Sequence, residues 1–242
     1  MADDVILIAG NIGSGKSTLL SYIKEQTGVI ANAIQQPVKA YHEFIDPVSR
    51  KNFYADRRIH TASFERSCLL ARIARYQEAK KIPGTIIFDR GMIEGAEIFC
   101  HNSYRDGHLS RRGYQSYLDD LYDGLDQLDR TEPHRWLEKL VIFLEVKDEA
   151  ILHERSKRRA EEKRARGESE EVVPQDYLGA INQHYGKFIR NLEEIYREKY
   201  ALPVPEVLTI NASIDFRKHP NYLSNTFNLI NDKIREMKSH AP

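Results

Sequence analysis

Residues 5–18 read VILIAGNIGSGKST, and no other stretch limits the possible folds of this chain so tightly. A run of five apolar residues enters Gly10-x4-Gly15-Lys16-Ser17, the spacing of a Walker A loop, and STLLSYIKEQ continues from it with helix-forming residues. A buried strand, a tight turn and a helix must therefore follow one another without interruption. The glycines let the backbone turn so that successive N–H groups converge on phosphate oxygens, and the helix adds its positive N-terminal end. Gly10, Asn11, Ile12, Gly13, Ser14, Gly15, Lys16, Ser17 and Thr18 are the expected cradle for ATP. Lys16 is placed to neutralise the β- and γ-phosphates and the Ser17 hydroxyl to ligate Mg²⁺.

Other runs of strand length are TIIFD at 85–89, LVIFLEV at 140–146 and VLTIN at 207–211, and VIANAI at 29–34 is the candidate for a fifth strand. Runs that are apolar on both faces suit a parallel sheet covered by helices on each side. Helical spacing joins Phe64, Cys68, Leu69, Ile73 and Tyr76, and later Leu223, Phe227, Ile230, Ile234 and Met237. Strands alternating with such helices predict an α/β fold with a five-stranded parallel sheet. No Pro/Gly/Ser-rich break interrupts the sequence, so residues 1–242 read as one domain.

The 36 basic residues equal the 36 acidic ones, so nothing global favours nucleic acid, and any electrostatic selectivity must be local. No stretch approaches the roughly 20 apolar residues of a membrane span, and the N-terminus has no basic, apolar secretory pattern. Cys68 and Cys100 sit inside apolar helical patterns and read as buried thiols in a reducing compartment, which makes a cytoplasmic location the expectation.

A Walker A loop alone does not separate kinases from GTPases and motor ATPases. No NKxD-like guanine motif occurs, and no strand ends in the long Walker B of large ATPases. What does occur is IIFDRG at 86–91, which places Asp89 and Arg90 at the C-terminal end of a buried strand, where such sheets bind ligands. Asp89 is a candidate metal ligand and Arg90 a candidate contact for the acceptor. After LVIFLEV comes RSKRRAEEKRAR, residues 155–166, with seven basic residues against two acidic. This is either a solvated helix face or an Arg-rich lid that closes over ATP.

The combination resembles the deoxynucleoside kinases, a family of small P-loop kinases. GNIGSGKST, PV at 37–38, SFERSCLLARI at 63–73, FDR at 88–90 and a basic segment leading through SEEVVPQDYL recur in that family's order across nearly the whole chain. The resemblance implies a P-loop kinase fold with a lid at about 155–173, transfer from ATP with Mg²⁺ to a small-molecule deoxynucleoside, and a homodimer. It implies that Tyr54 holds the sugar 3′-hydroxyl with Glu170 or Glu171, and that Phe64 stacks near the base. It likewise places Arg72 in the base pocket and Arg90 beside the 5′-hydroxyl. The phosphate-binding arginines fall among Arg155, Arg158 and Arg159, or Arg164 and Arg166.

Two positions depart from the family pattern. The carboxylate expected directly before Pro-Val is Gln36, and an amide is no general base at neutral pH, so Asp89 is the nearest substitute. The base-reading glutamine falls at Glu65, whose acceptors suit the two donors of a guanine edge, unless Glu65 pairs with Arg72 and only orients it. The expectation is a deoxynucleoside kinase favouring a purine, possibly of guanine type. A nucleoside monophosphate kinase is the alternative, since its acceptor needs no base and Arg50, Lys51, Arg57 and Arg58 are available as cations. A non-catalytic nucleotide-binding scaffold is a third reading, and a polynucleotide kinase is disfavoured by the neutral net charge.

Overall fold

The computed structural model describes residues 2–131, 137–168 and 170–239. In chain order these form β1 (Ala2–Gly10), α1 (Lys16–Glu25), α2 (Thr27–Ile34), β2 (Val38–Tyr41), α3 (Pro47–Ala55), α4 (Arg57–Ala79) and β3 (Gly84–Asp89). Next comes α5 (Met92–Glu94), which widens through π-helical Gly95–Cys100 into α6 (His101–Arg105) and is followed by α7 (Arg111–Thr131) and β4 (Glu138–Glu145). The chain then runs through α8 (Glu149–Ala165), α9 (Gln175–Arg190), π-helical Glu194–Lys199, β5 (Glu206–Asn211) and α10 (Pro220–Ser239).

The five strands form one parallel sheet in the order β2-β3-β1-β4-β5, with Leu7 opposite both Phe88 and Val141. Val5–Ala9, Ile86–Phe88 and Leu140–Leu144 are buried, which is why the three central strands read as unbroken apolar runs. Because every strand is parallel, all five C-terminal ends lie on one edge. Since β1 is central, the loop after Gly10 sits in the middle of that edge.

Local chemistry sets the helix starts around this edge. Asp46 caps α3 by accepting from the Ser49 N–H at 2.6 Å, with Pro47 in the first turn. Asp56 caps the long α4 by accepting from Arg58 and Ile59, and Asp148 caps α8 by accepting from Ala150. On α4 the buried residues Glu65, Cys68, Leu69, Arg72, Ile73 and Tyr76 face inward at helical spacing. On α10, Leu223, Phe227, Ile230 and Ile234 do the same.

The α/β architecture follows the sequence expectation, with one correction. VIANAI does not form a strand: residues 29–34 lie in α2, where Ile30 is the buried side chain, and Gln35 ends the helix in a left-handed conformation at φ 55°. The missing strand is β2, whose VKAY alternates buried and exposed positions. As an edge strand it needs only one apolar face, so it carries no continuous apolar run. Pro37 directly precedes the second strand, which starts at Val38, so Gln36 lies at the opposite end of the sheet from the Walker A loop.

Gly84 enters β3 at φ +96°, and a Cβ there would collide with the backbone of Pro37, whose carbonyl accepts from Thr85 N–H at 2.8 Å. We expect Gly84→Ala to destabilise the fold by roughly 1–3 kcal/mol, measured as a lower midpoint in urea unfolding, because it adds both backbone strain and a clash at the β2–β3 junction.

Candidate active site

A cleft of about 370 Å³ runs along the C-terminal edge of the sheet, from the Walker A loop to the inner face of α4. At the phosphate end the loop backbone takes left-handed turns at Gly13 (φ +83°) and Gly15 (φ +98°). A Cβ on Gly15 would stand 2.9 Å from the Phe216 ring, so the loop packs closely beneath the β5–α10 connection. Asn11 is buried and tethers the loop to α9, donating to Leu178 O at 2.8 Å and Asn182 Oδ1 at 2.7 Å. Lys16 donates to the carbonyls of Gly10 (2.8 Å) and Asn11 (3.0 Å). Burial, reinforced by Arg90, lowers its pKa to about 8.

Asp89 lies at the end of β3 beside this lysine. Its Oδ1 is buried with no hydrogen-bond partner among the described residues, and burial raises its pKa. An orphaned carboxylate oxygen, the exposed Ser17 at the start of α1 and a ring of loop amides fit a phosphate-bound divalent cation.

Next along the cleft is Arg90, buried at φ +69°, a left-handed conformation unusual outside glycine. Its Nε donates to Glu43 Oε2 at 2.8 Å, and its Nη1 donates to the Tyr185 hydroxyl at 2.8 Å and to Gly10 O at 3.3 Å. Glu94 Oε1 lies 3.5 Å away, and the guanidinium stacks 4.2 Å over Phe99. Glu94 also accepts from Gly91 N–H at 3.0 Å and meets the Tyr185 hydroxyl, which sits 2.7 Å from Gly10 O. A single buried network thus joins the start of the Walker A loop to Arg90.

Glu43, two residues beyond β2, bridges the middle of the cleft. Its second oxygen accepts from Arg72 Nη2 at 2.5 Å. Burial alone would raise its pKa, but Arg72 and Arg90 outweigh that and hold Glu43 below the usual carboxylate range.

The far end is aromatic and polar. Phe64 stacks on Phe53 with ring centroids 4.4 Å apart, and burial pushes the Tyr54 hydroxyl up to about 12. Glu65 is buried in this wall, accepts from Ser103 Oγ at 2.9 Å, and is pushed up to about 7 by desolvation. Among the described residues Arg72 Nε and Nη1 have no hydrogen-bond partner, and Nη1 lies against Gly95, where a side chain would collide with it.

From α8, Arg155, Arg158 and Arg159 line the cleft. Arg155 donates to Gly13 O at 3.2 Å and Ala212 O at 2.8 Å, Arg158 pairs with Asp215 at 2.7 Å, and Arg159 pairs with Glu170 at 2.5 Å. Lys163 and Arg50 also reach Glu170, and these cations outweigh its burial and lower its pKa.

The structure thus gathers Lys16, Ser17, Thr18, Tyr54, Phe64, Glu65, Arg72, Asp89, Arg90, Arg155 and Arg159 around one cleft, with Ile12, Gly13 and Gly15 in its floor. Gly10, Asn11 and Ser14 support the loop from behind. Of the two acidic candidates after α8, Glu170 turns inward and Glu171 is exposed. Arg164 and Arg166 are exposed as well and do not line the cleft. Gln36 is the residue that must be corrected: it accepts from Lys238 Nζ at 2.6 Å, far from the cleft, because Pro37 directly precedes β2 at the sheet's other end. Nor does Glu65 pair with Arg72, which is taken by Glu43.

Residues that the sequence reading missed are Glu43, Phe53, Tyr177, Asp215, Phe216 and Arg217, all in the cleft wall. Glu43 was within reach: once VKAY is recognised as a strand, a carboxylate just past its C-terminal end falls on the ligand-binding edge.

A phosphate cradle at the centre of a parallel sheet, with cations above it and a cleft of polar and aromatic side chains beside it, defines a P-loop phosphotransferase. Residues 6–235 match the deoxynucleoside kinase family, and the chain belongs to that family. It is an ATP-dependent kinase that phosphorylates a deoxynucleoside. A deoxyadenosine kinase of Lactobacillus acidophilus is 24% identical over 235 residues, covering 96% of this chain and 97% of its own. Kinase protein 029R of invertebrate iridescent virus 3 is 26% identical over 192 residues, covering 79% of this chain and 86% of its own. Among solved structures, deoxyadenosine kinase from M. mycoides with the products dCMP and dCDP bound shares the fold, with TM-score 0.63, 22% identity and coverage of 94% and 99%. The same enzyme with bound dATP gives 0.62 and 21% identity, covering 93% of this chain and 99% of its own.

Burial of Glu65 has a consequence for stability. Its folded pKa of about 7 exceeds the ordinary 4.5, so the folded state holds an extra proton between these values and stability falls as pH rises through that window. Glu65→Gln does not titrate and lacks this slope. We expect the unfolding free energy of the variant to gain roughly 3 kcal/mol on the parent between pH 4.5 and pH 8, read from urea unfolding at several pH values.

Proposed function

We propose that the kinase moves the γ-phosphoryl group of ATP to the 5′-hydroxyl of a deoxynucleoside, with Glu43 as the proton acceptor. The observation that carries this reading is the carboxylate of Glu43, buried between Arg90 and Arg72 on the acceptor side of Lys16. The 5′ oxygen bonds to the γ-phosphorus, the bond to the β–γ bridging oxygen breaks, ADP departs and the hydroxyl proton passes to Glu43. Being held below the usual carboxylate range, Glu43 is ionised at neutral pH and ready to accept. Phosphoryl transfer relies chiefly on positioning and charge, so a weak base in the right place suffices.

Lys16 and the loop amides hold the triphosphate, and Arg155, Arg158 and Arg159 on a lid spanning about 155–173 stabilise the transferring group. Ser17 and Asp89 would hold Mg²⁺, which neutralises charge on the phosphates when bound. Arg90 orients the 5′-hydroxyl, and Tyr54 with Glu170 holds the 3′-hydroxyl. The base lies between Phe64 and the polar wall of Glu65 and Arg72. An ionised Glu65 offers acceptors to guanine N1–H and N2–H₂, while the unpaired donors of Arg72 suit O6 and N7, which supports a purine and favours a guanine type. The adenine named in two relatives fits the same pocket through N7.

Glu43 removes the main argument for a monophosphate acceptor, which was an amide in place of a carboxylate. Of the four cations considered for such an acceptor, Arg50 alone lines the cleft, and it faces Glu170. The same carboxylate weakens the scaffold reading. Two free, buried cysteines support a reducing, cytoplasmic setting. Exposed Ile59 and Leu70 on α4 and Tyr122 on α7 support a homodimer through these helices.

Incubation with ATP and Mg²⁺ should yield 5′-monophosphates from deoxynucleosides, and acceptance of monophosphates alone would refute the reading. Lys16→Ala should abolish turnover. Glu43→Gln should lower kcat about 10²–10⁴-fold with a smaller change in KM, and a variant with unaltered kcat would remove Glu43 from the mechanism.

A further inference from the structure

Glu65 is the one acid in the base wall that no cation holds. Only 3% of its surface is exposed, and among the described residues its one hydrogen bond comes from Ser103 Oγ on α6. Arg72, seven residues along the same helix, is turned away to Glu43. Arg57 lies over the Tyr177 ring at 4.7 Å and pairs with Asp106 at 3.7 Å.

We propose that Glu65 reads the base in two protonation states, as a carboxylate for guanine-type edges and as a carboxylic acid for adenine-type edges, so that base preference shifts from adenine toward guanine as pH rises through neutral. This rests on the reading that the cleft takes a deoxynucleoside with its base against α4. The ionised group presents only acceptors, matching guanine N1–H and N2–H₂. The protonated group presents one donor and one acceptor, matching adenine N1 and N6–H₂. Either mismatch buries unpaired polar groups, the situation in which a polar site discriminates most strongly. Arg72 meets N7 of both purines, and its second unpaired donor favours guanine through O6 by an amount that does not change with pH, so the slope belongs to Glu65.

The surroundings make Glu65 the group that changes charge here. Burial and Glu43 favour the acid, Ser103, Arg72 and Arg57 favour the carboxylate, and the balance falls at about 7. Cys68 on the same helix is pushed up to about 12, and Cys100 in the π-helical turn is raised further. Tyr117 on α7 and Tyr177 on α9 are raised well above 10. Glu43 is lowered, and stays ionised through the neutral range.

The test is the ratio of kcat/KM for deoxyguanosine to that for deoxyadenosine, measured with the full chain between pH 6 and pH 8. It should rise about tenfold per pH unit, roughly 100-fold in all. Glu65→Gln should flatten the ratio and hold it near the value that the parent shows at low pH, where Glu65 likewise offers one donor and one acceptor. Calorimetry in buffers of different ionisation enthalpy should find proton uptake when deoxyadenosine binds at pH 8, and proton release when deoxyguanosine binds at pH 6. Phosphorylation of both nucleosides at a pH-independent ratio, or a slope that survives in Glu65→Gln, overturns the proposal while leaving the proposed function intact. Failure to phosphorylate any deoxynucleoside at any pH overturns both.

Discussion

The guanidinium of Arg90 is buried among acceptors from four separate parts of the chain: the Gly10 carbonyl at the end of β1, Glu43 beyond β2, Glu94 in α5 and the Tyr185 hydroxyl of α9. Taking such a cation out of water costs several kcal/mol, and only a full set of charged and polar partners offsets it. The left-handed backbone of Arg90 adds further strain, roughly 1–3 kcal/mol. The packing around β3 must therefore hold this geometry against its own tendency to relax. In return, the Walker A loop and the Glu43 side of the cleft cannot move independently, because both are bonded to one rigid side chain.

Around that hub the cleft concentrates charge that the chain as a whole does not carry. Net charge is zero, yet Lys16, Asp89, Arg90, Arg72 and Glu65 all lie buried in one connected region, with the largely covered Glu43 between the two arginines. Low polarity strengthens each pairing, and it displaces each pKa according to whether a partner is present. Glu43, with two arginines, is driven down. Asp89 and Glu65, with weaker compensation, are driven up. Arg158 and Arg159 of α8 rest meanwhile on Asp215 and Glu170, so neither is left as a bare cation at the cleft.

Much of this was legible beforehand wherever the local pattern is also the functional one. VILIA followed by GNIGSGKST specifies strand, cradle and helix together, and the buried faces of α4 and α10 follow from helical spacing. FDR at the end of an apolar run placed Asp89 and Arg90 correctly. The reading failed at β2, where a four-residue edge strand with one lysine facing out leaves a weaker apolar signal than the neighbouring helix α2. The Pro-Val pattern separately drew attention to Gln36, and with β2 unrecognised the strand-end position of Glu43 went unseen. The alternation in VKAY was present in the sequence, but four residues carry too little of it to outweigh VIANAI.

By itself, the sequence determined the class of fold, the phosphate cradle and the inventory of charged groups, because these depend on contiguous residues whose backbone preferences and periodicity act locally. Tertiary structure alone decided which of those charges meet. Glu43 and Arg72 are 29 residues apart, Glu43 and Arg90 are 47 apart, and Arg90 and Tyr185 are 95 apart. Their pairing follows from parallel strand order and from what the interior must neutralise, neither of which is written in any short segment.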